Sequence, residues 1–280
     1  MPTVTVCIPV FNGEKFIEKT IKSVLQQSYT DYELLIIDNC STDKTINIVN
    51  SFSDARINLI KNNQNIGLIG NWNRCLEYSK GKYIQFLCAD DYLAKNCLEK
   101  KIEVFNKYSN ICLVFNSSYI IDANDEIIMK RRPFLNDRLF DGKKIAYKSF
   151  IKRNLFGEPS NVMFKKDLIK EIGYFDSKLC YSVDWDYWIK ISTKGKVYFI
   201  NDYLMYYRVI SNSITGKLLK EKKKLLEDDN QFITNCNQNK NLNLSAIDTI
   251  LHKININFRL YARETFHFFN NIRSREQTIE

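Results

Sequence analysis

Tyr32-Glu33-Leu34-Leu35-Ile36-Ile37-Asp38 is a short, almost continuous apolar run that ends on a carboxylate. Such a run fits a strand covered on both faces, as in a sheet with helices above and below it. The flanking sequence agrees. Upstream, Thr3–Val10 is β-branched and apolar and closes at Pro9-Val10-Phe11-Asn12-Gly13, a strand followed by a turn. Between the two runs, Glu14–Gln27 places Ile17, Ile21, Val24 and Leu25 on one helical face. Downstream, Ser41-Thr42-Asp43 predicts the capped start of a second helix. Ile57–Lys61 then reads as a third strand, Leu68–Ser79 as a helix, and Tyr83–Leu87 as a fourth strand running into Asp90-Asp91. This alternation implies an α/β fold with a mainly parallel sheet flanked by helices. Ligands of such sheets sit at the C-terminal strand ends. Phe11-Asn12, Asp38-Asn39 and Asp90-Asp91 all fall there.

Further along, Ile111–Asn116 and Asn161–Phe164 read as strands, Lys166–Ile172 and Trp185–Ser192 as helices, and Val197–Ile200 and Tyr203–Val209 as late strands. Residues 122–160, with Pro133, Gly142, Gly157 and Pro159, read as loops around one helix. The pattern changes at Gly216: Lys217–Phe232 is Lys-rich and helical, Asn235–Asn243 is an Asn-rich break, and Ser245–Phe269 is helical again. The expected division is a catalytic domain over residues 1–215 and a helical C-terminal extension over 216–280.

Composition narrows the function. The chain has 280 residues, 45% hydrophobic and 13% aromatic, enough for a sizeable core. Its net charge of +9 comes largely from Lys scattered among Asp and Glu, with no nucleic-acid-binding signature. Eight cysteines include no CxxC pair and read as buried free thiols of a reducing compartment. The only histidines are His252 and His267, which excludes a histidine-based site in the main domain. No apolar run approaches the roughly 20 residues that span a bilayer, and the start lacks a signal-peptide pattern. The expectation is a cytoplasmic protein, soluble or peripheral to a membrane.

Three constellations carry chemistry. Asp90-Asp91 sets two carboxylates at a strand end, where like charges repel unless a cation intervenes. Mg²⁺ or Mn²⁺ bridging to a diphosphate suits them; the alternative is Asp91 capping a helix that begins near Leu93. Asp184 leads the stretch Asp184-Trp185-Asp186-Tyr187-Trp188 and is either a cap or a general base. Arg208, after Tyr207, suits phosphate oxygens or, alternatively, an exposed edge strand.

Together these stretches resemble the family 2 glycosyltransferases of the GT-A fold. The match runs from Thr3–Asn12 and Leu34–Asp43 through Asn65-Ile66-Gly67, Gly81–Ile84, Phe86–Asp91 and Ile172–Asp176 to Asp184–Trp188, Tyr207-Arg208 and Ser213-Ile214-Thr215. The resemblance implies an inverting, metal-dependent transfer of a sugar from a UDP- or dTDP-sugar to a hydroxyl of a glycan or lipid-linked acceptor. Pro9, Val10 and Phe11 would line the nucleobase pocket, with Asp38 bonding base or ribose and Arg74 close by. Asp90 would contact ribose or metal, Asp91 would hold the metal (Mn²⁺ or Mg²⁺), Arg208 would meet the diphosphate, and Asp184 would be the base. Three positions depart from the family pattern: Cys88 replaces a frequent Asp, Trp72 a frequent Arg, and Val209-Ile210 a frequent His. Processive synthesis is disfavoured because no Trp follows Trp188. A nucleotidyltransferase would want more glycines than Phe11-Asn12-Gly13-Glu14 offers. A catalytically silent nucleotide-sugar-binding protein would not need Asp90, Asp91 and Asp184.

In the extension, Lys217, Lys220, Lys222, Lys223 and Lys224 interleave with Leu218, Leu219, Leu225 and Leu226. Phe258, Tyr261, Phe266, Phe268 and Phe269 alternate with Arg259, Arg263, Arg273 and Arg275. Basic residues beside aromatics suit an anionic membrane surface. Packing on the catalytic domain or a homo-oligomer contact is the other expectation, which Glu221, Glu227, Asp228 and Asp229 favour.

Overall fold

The computed structural model describes residues 2–210, 216, 218 and 221–256. The first half alternates as expected: β1 (Val4–Val10), α1 (Ile17–Leu25), β2 (Tyr32–Asp38), α2 (Thr45–Asn50), β3 (Ile57–Lys61), α3 (Gly67–Tyr78) and β4 (Tyr83–Phe86). A two-residue strand β5 (Tyr92–Leu93) and helix α4 (Cys97–Lys107) follow, then β6 (Ile111–Ile121), β7 (Ile127–Arg131), β8 (Arg138–Asp141) and α5 (Gly142–Lys152). The last part holds β9 (Val162–Lys165), α6 (Ile169–Ile172), α7 (Val183–Ser192), β10 (Lys196–Arg208), α8 (Lys222–Gln238) and the helical residues 246–256.

The sheet runs β3-β2-β1-β4-β9-β6-β10-β5, with β7 beside β6 and β8 beside β10. Its first four strands are parallel, as the apolar runs require. The second half differs from the expectation of a mainly parallel sheet. Strand β9 lies antiparallel between β4 and β6, and β5, β7 and β8 are antiparallel to their neighbours, so the sheet is mixed. The two late strands read from sequence are one strand, β10. Its register slips at Ile200/Tyr203 and Tyr203/Met205, where the polar pair Asn201-Asp202 marks an irregularity. Neither Asp91 nor Ser41-Thr42-Asp43 supplies a helix N-cap: α4 starts after Asn96 and α2 after Lys44.

Strand periodicity sorts the core onto two faces. Leu35, Ile37, Ile84 and Phe86 pack with α3, α5 and α7, while Leu34, Ile36, Val6 and Ile8 pack with α1 and α4. A buried lysine ties the two halves of the sheet together. The ammonium group of Lys101 on α4 donates to Gln85 Oε1 (2.7 Å) and the Asn161 carbonyl (2.9 Å), bonding β4 to the start of β9. Burial lowers its pKa.

The described residues beyond Gly216 build no core of their own. Phe232, Ile233, Cys236, Leu242 and Ile256 belong to the cluster of Phe150, Trp185 and Trp188. Phe232 lies 4.5 Å from the Trp185 ring and stacks on Phe150 at 5.9 Å. His252 stacks on Phe150, and its two ring nitrogens lie 2.7 Å from the Phe150 carbonyl and 2.8 Å from Asp229. Helix α8 runs to Gln238, four residues into the expected break, and residues 239–245 are non-helical. Residues 211–215, Lys217, Leu219, Lys220 and everything from 257 onward, including the Phe- and Arg-rich stretch, lie outside the described residues.

Because Phe232 completes that shared cluster, Phe232→Ala should cost the whole fold about 3–5 kcal/mol. Denaturant unfolding followed by Trp fluorescence checks this. A loss below about 1 kcal/mol, within the usual range for surface changes, would mean that the extension is energetically separate.

Candidate active site

The loops after β1 and β2 are laced together before any ligand enters. Asn12, held at φ 51°, accepts from Thr42 N through Oδ1 (2.8 Å), and its own N–H donates to Ser41 Oγ (2.9 Å). Gly13 N donates to Thr45 Oγ1 (2.8 Å), Glu14 N to Asp43 (3.0 Å), and Lys44 N returns a bond to Glu14 (2.9 Å). The hydroxyls and carboxylate expected to cap α2 thus serve mainly as cross-links, although Asp43 also accepts from Thr45 N. Positive φ is tolerable for Asn because its short polar side chain bonds locally.

These loops form one wall of a cleft of about 1050 Å³ at the C-terminal ends of β1 and β4. Pro9, Val10, Phe11, Trp72, Cys88 and Asp90 line this side. Arg131, Arg153, Asn154, Glu158, Tyr181 and Asp184 line the rest of it. Of the residues singled out from sequence, Pro9, Val10, Phe11, Asp90, Asp184 and Arg208 therefore share one cavity, while Asp38, Arg74 and Asp91 lie behind its surface.

The two adjacent carboxylates face opposite ways. Asp91 is fully buried: Oδ2 accepts from the Ser160 hydroxyl (2.5 Å) and Oδ1 from the Arg208 N–H (2.9 Å). Burial and the neighbouring Asp90 charge push its pKa well up, against the pull of those two donors. Where the sequence suggests a metal ligand, each Asp91 oxygen accepts from a donor of the protein itself. Asp90, half-buried, borders the cleft, and desolvation raises its pKa while the Arg208 charge opposes the rise. Beside it, burial, then the Asp91 and Asp90 charges, push the Cys88 thiol pKa well up.

Arg208 is not an exposed edge residue. It is 2% exposed, and Nε donates to the Asp90 carbonyl (3.0 Å), Nη1 to the Asp122 carbonyl (2.7 Å) and Nη2 to Asp125 (2.5 Å). Its guanidinium also covers the Phe16 ring at 4.3 Å. Arg74 departs from its expected place as well. It donates to Asn62 Oδ1 (2.7 Å) and Tyr78 (2.8 Å), buttressing an Asn62–Asn39–Asn65 network rather than facing a nucleobase. At the end of β2, Asp38 Oδ2 accepts from Ser41 N (3.1 Å), while its buried Oδ1 has no hydrogen-bond partner. Asp184 is the second residue of α7, whose N-cap is Ser182, so it is no cap. It borders the cleft and meets Asn154 Nδ2 at 3.4 Å.

Sequence reasoning passed over Ser160 and Glu158. Their segment is fixed by Gly157, at φ 93°, where a Cβ would lie 2.1 Å from Asn161 Nδ2 and 2.7 Å from Arg131. The Gly157-Glu158-Pro159-Ser160 spelling was the available signal for a constrained turn. Ser160 Oγ also accepts from Cys88 N (2.9 Å), tying the turn to the end of β4.

A family model for glycosyl transferase family 2 matches residues 5–173, from β1 to the end of α6. The chain belongs to that family. This glycosyltransferase is 30% identical over 234 residues to the UDP-Glc:alpha-D-GlcNAc-diphosphoundecaprenol beta-1,3-glucosyltransferase WfgD of Escherichia coli, covering 83% of this chain and 87% of WfgD. Its fold is similar to that of TarS from S. aureus in complex with UDP-GlcNAc, with a TM-score of 0.69 at 16% identity over 96% of this chain and 73% of that one. It is also similar to the mannosyltransferase PcManGT from Pyrobaculum calidifontis in complex with GDP-Man and Mn²⁺ (TM-score 0.61, 18% identity, 83% and 64% covered).

Inward- and outward-facing carboxylates respond differently to truncation. Asp91→Ala leaves the Ser160 hydroxyl and the Arg208 N–H unpaired in the interior, and should cost at least about 1–3 kcal/mol of stability. Asp90→Ala should cost well under 1 kcal/mol, as for surface sites. Parallel denaturant titrations compare the two, and equal losses would contradict the opposed orientations.

Proposed function

We propose that this glycosyltransferase moves a sugar, with inversion, from a UDP- or dTDP-sugar to a hydroxyl of a lipid-linked or other surface-glycan acceptor at the cytoplasmic face of a membrane. The observation that carries the proposal is that Asp90 and Asp184 line one and the same cleft. The unpartnered Oδ1 of Asp38, buried behind the cleft surface at the end of β2, supports nucleobase recognition, because a buried carboxylate oxygen wants an N–H donor such as that of a pyrimidine. Phe11, 48% exposed at the rim, offers a ring for the base to lie against. WfgD, by its name, uses UDP-Glc and a diphosphoundecaprenol-linked acceptor, which supports that donor and acceptor class.

The residues present fit a divalent cation in one mode. Among the described residues no three His, Cys, Asp or Glu side chains gather into a metal cage. Asp90 alone presents a cleft-facing carboxylate at the former pair, and Mg²⁺ or Mn²⁺ is commonly held by one or two carboxylates plus substrate phosphates. Asp90 would hold the ion, with the donor diphosphate supplying further ligands. When bound, it would neutralise charge on the departing diphosphate. The Mn²⁺ in the PcManGT complex supports such an ion.

In the reaction, Asp184 accepts the proton of the acceptor hydroxyl. The oxygen attacks the anomeric carbon, the bond to the diphosphate breaks, and nucleoside diphosphate leaves. Asp184 suits this role because the N-terminal end of α7 keeps a carboxylate ionised. Arg208 contributes from behind, fixing the Asp90 main chain. Asp184→Asn should keep donor binding and lose transfer about 10²–10⁴-fold. A panel of nucleotide sugars, assayed with and without Mn²⁺, measures both. Unimpaired transfer by Asp184→Asn would remove the base assignment, and turnover indifferent to chelator would remove the metal.

Membrane contact is part of the same proposal. Ile247, Ile250, Leu251 and Ile254 are exposed at helical spacing on residues 246–256, an apolar stripe on the extension. No helix among the described residues is long and apolar enough to cross a membrane. The intact protein should pellet with anionic vesicles at low salt, and Ile250→Asp with Ile254→Asp should abolish pelleting. Equal pelleting of both proteins would clear the stripe of that role.

A further inference from the structure

We infer that Asp228, on α8 of the C-terminal extension, is a positioning residue for transfer: it shapes the cleft wall from which Asp184 projects. The inference rests on the proposed role of Asp184 as base. Asp228 is 3% exposed. Its Oδ1 accepts from the backbone N–H groups of Cys180 (2.5 Å) and Tyr181 (2.8 Å), and its Oδ2 from that of Ser182 (3.0 Å). Three successive amides thus converge on one carboxylate. Successive backbone N–H groups form such a concavity for an anion, and here the chain fills it with its own side chain from 46 residues or more downstream.

The placement gives this arrangement its consequence. Cys180, Tyr181 and Ser182 all line the cleft, Ser182 is the N-cap of α7, and Asp184 is two residues further on. No side-chain cap bond fixes that helix start. The grip from outside therefore sets the main-chain path into α7. The residues that follow Asp228 anchor its helix: Asp229 meets His252, and Phe232 packs on Trp185, the residue after Asp184. Asp228 is absent from the cavity lining, so it acts through the 180–182 backbone and not on substrate.

A residue that positions Asp184 must lose its effect once the base is gone. In the full-length enzyme, Asp228→Ala should leave the donor dissociation constant within about twofold while kcat for transfer falls roughly 10–100-fold, the scale of an ångström-sized misplacement. In an Asp184→Asn background the same change should lower kcat less than about threefold, because coupled residues are not additive. Asp228→Asn, which keeps one carboxamide oxygen for the amides, should fall between wild type and Asp228→Ala and covers the case of an Ala variant that fails to fold. Formate added to Asp228→Ala should restore part of kcat with saturation, whereas chloride at equal ionic strength should not.

Unchanged kcat in a folded Asp228 variant, or an equal fold-loss with and without Asp184, overturns the positioning role. A loss shared by kcat and donor affinity in proportion to lost stability does so too, since it marks a merely structural residue. Failure of the base assignment is separately visible, as normal transfer by Asp184→Asn alone.

Discussion

The cleft depends on a carboxylate that never enters it. Asp91 is withdrawn from water at the end of β4, a placement that is costly unless its oxygens are hydrogen-bonded. Its partners, Ser160 and the Arg208 N–H, come from residues 69 and 117 positions away. Meeting that requirement draws three remote chain segments to one point. Arg208, so placed, spreads its guanidinium over the Asp90 and Asp122 carbonyls and Asp125, so the main chain of the strand end is held from two directions. Asp90 is then the carboxylate left facing the cleft. The pair is a division of labour between adjacent residues: one holds chain segments together and the other borders the cleft.

The part of the cleft that α7 borders is organised by hydrophobic rather than polar forces. Helix α7 buries Trp185, Tyr187 and Trp188 against Phe164, Phe175 and Phe232, a dense set of tilted and edge-on ring contacts. Within the first turn of so enclosed a helix, Asp184 is a side chain that borders the cleft. The C-terminal extension completes this packing through Phe232 and His252, making it part of the catalytic body in the residues described.

The parallel half of the sheet was legible because its strands are apolar on consecutive positions and its helices carry spaced apolar faces. The second half was not. Strands β7 (Ile127–Arg131) and β8 (Arg138–Asp141) are mostly exposed and short, so burial leaves little periodicity in them. Their existence depends on pairing with β6 and β10, which no local pattern encodes. Asn201-Asp202 looked like a loop between two strands because a register slip within one strand admits polar residues. In the site, the strand-end carboxylates and the head of α7 were visible as types at places. Which of Asp90 and Asp91 turns inward was not, since that is decided by Ser160 and Arg208. Arg74 and Arg208 were read as phosphate or base contacts for the same reason: a guanidinium does not announce its partner, and here the partners are Asn62, Tyr78, Asp125 and backbone carbonyls.

The lacing of the β1 and β2 loops bears on how donor choice can change. Five hydrogen bonds among residues 12–14 and 41–45 fix these backbones against each other without help from a ligand. A pocket edge that is rigid beforehand spares the ligand an ordering cost, and it discriminates by shape rather than by adapting. The same stiffness restricts variation. A substitution in one loop that shifts the rim must break contacts made by the other, so single changes there lose affinity before they redirect it. With the nucleobase placed against these loops as proposed, a new preference would have to arise through paired changes, one in each loop.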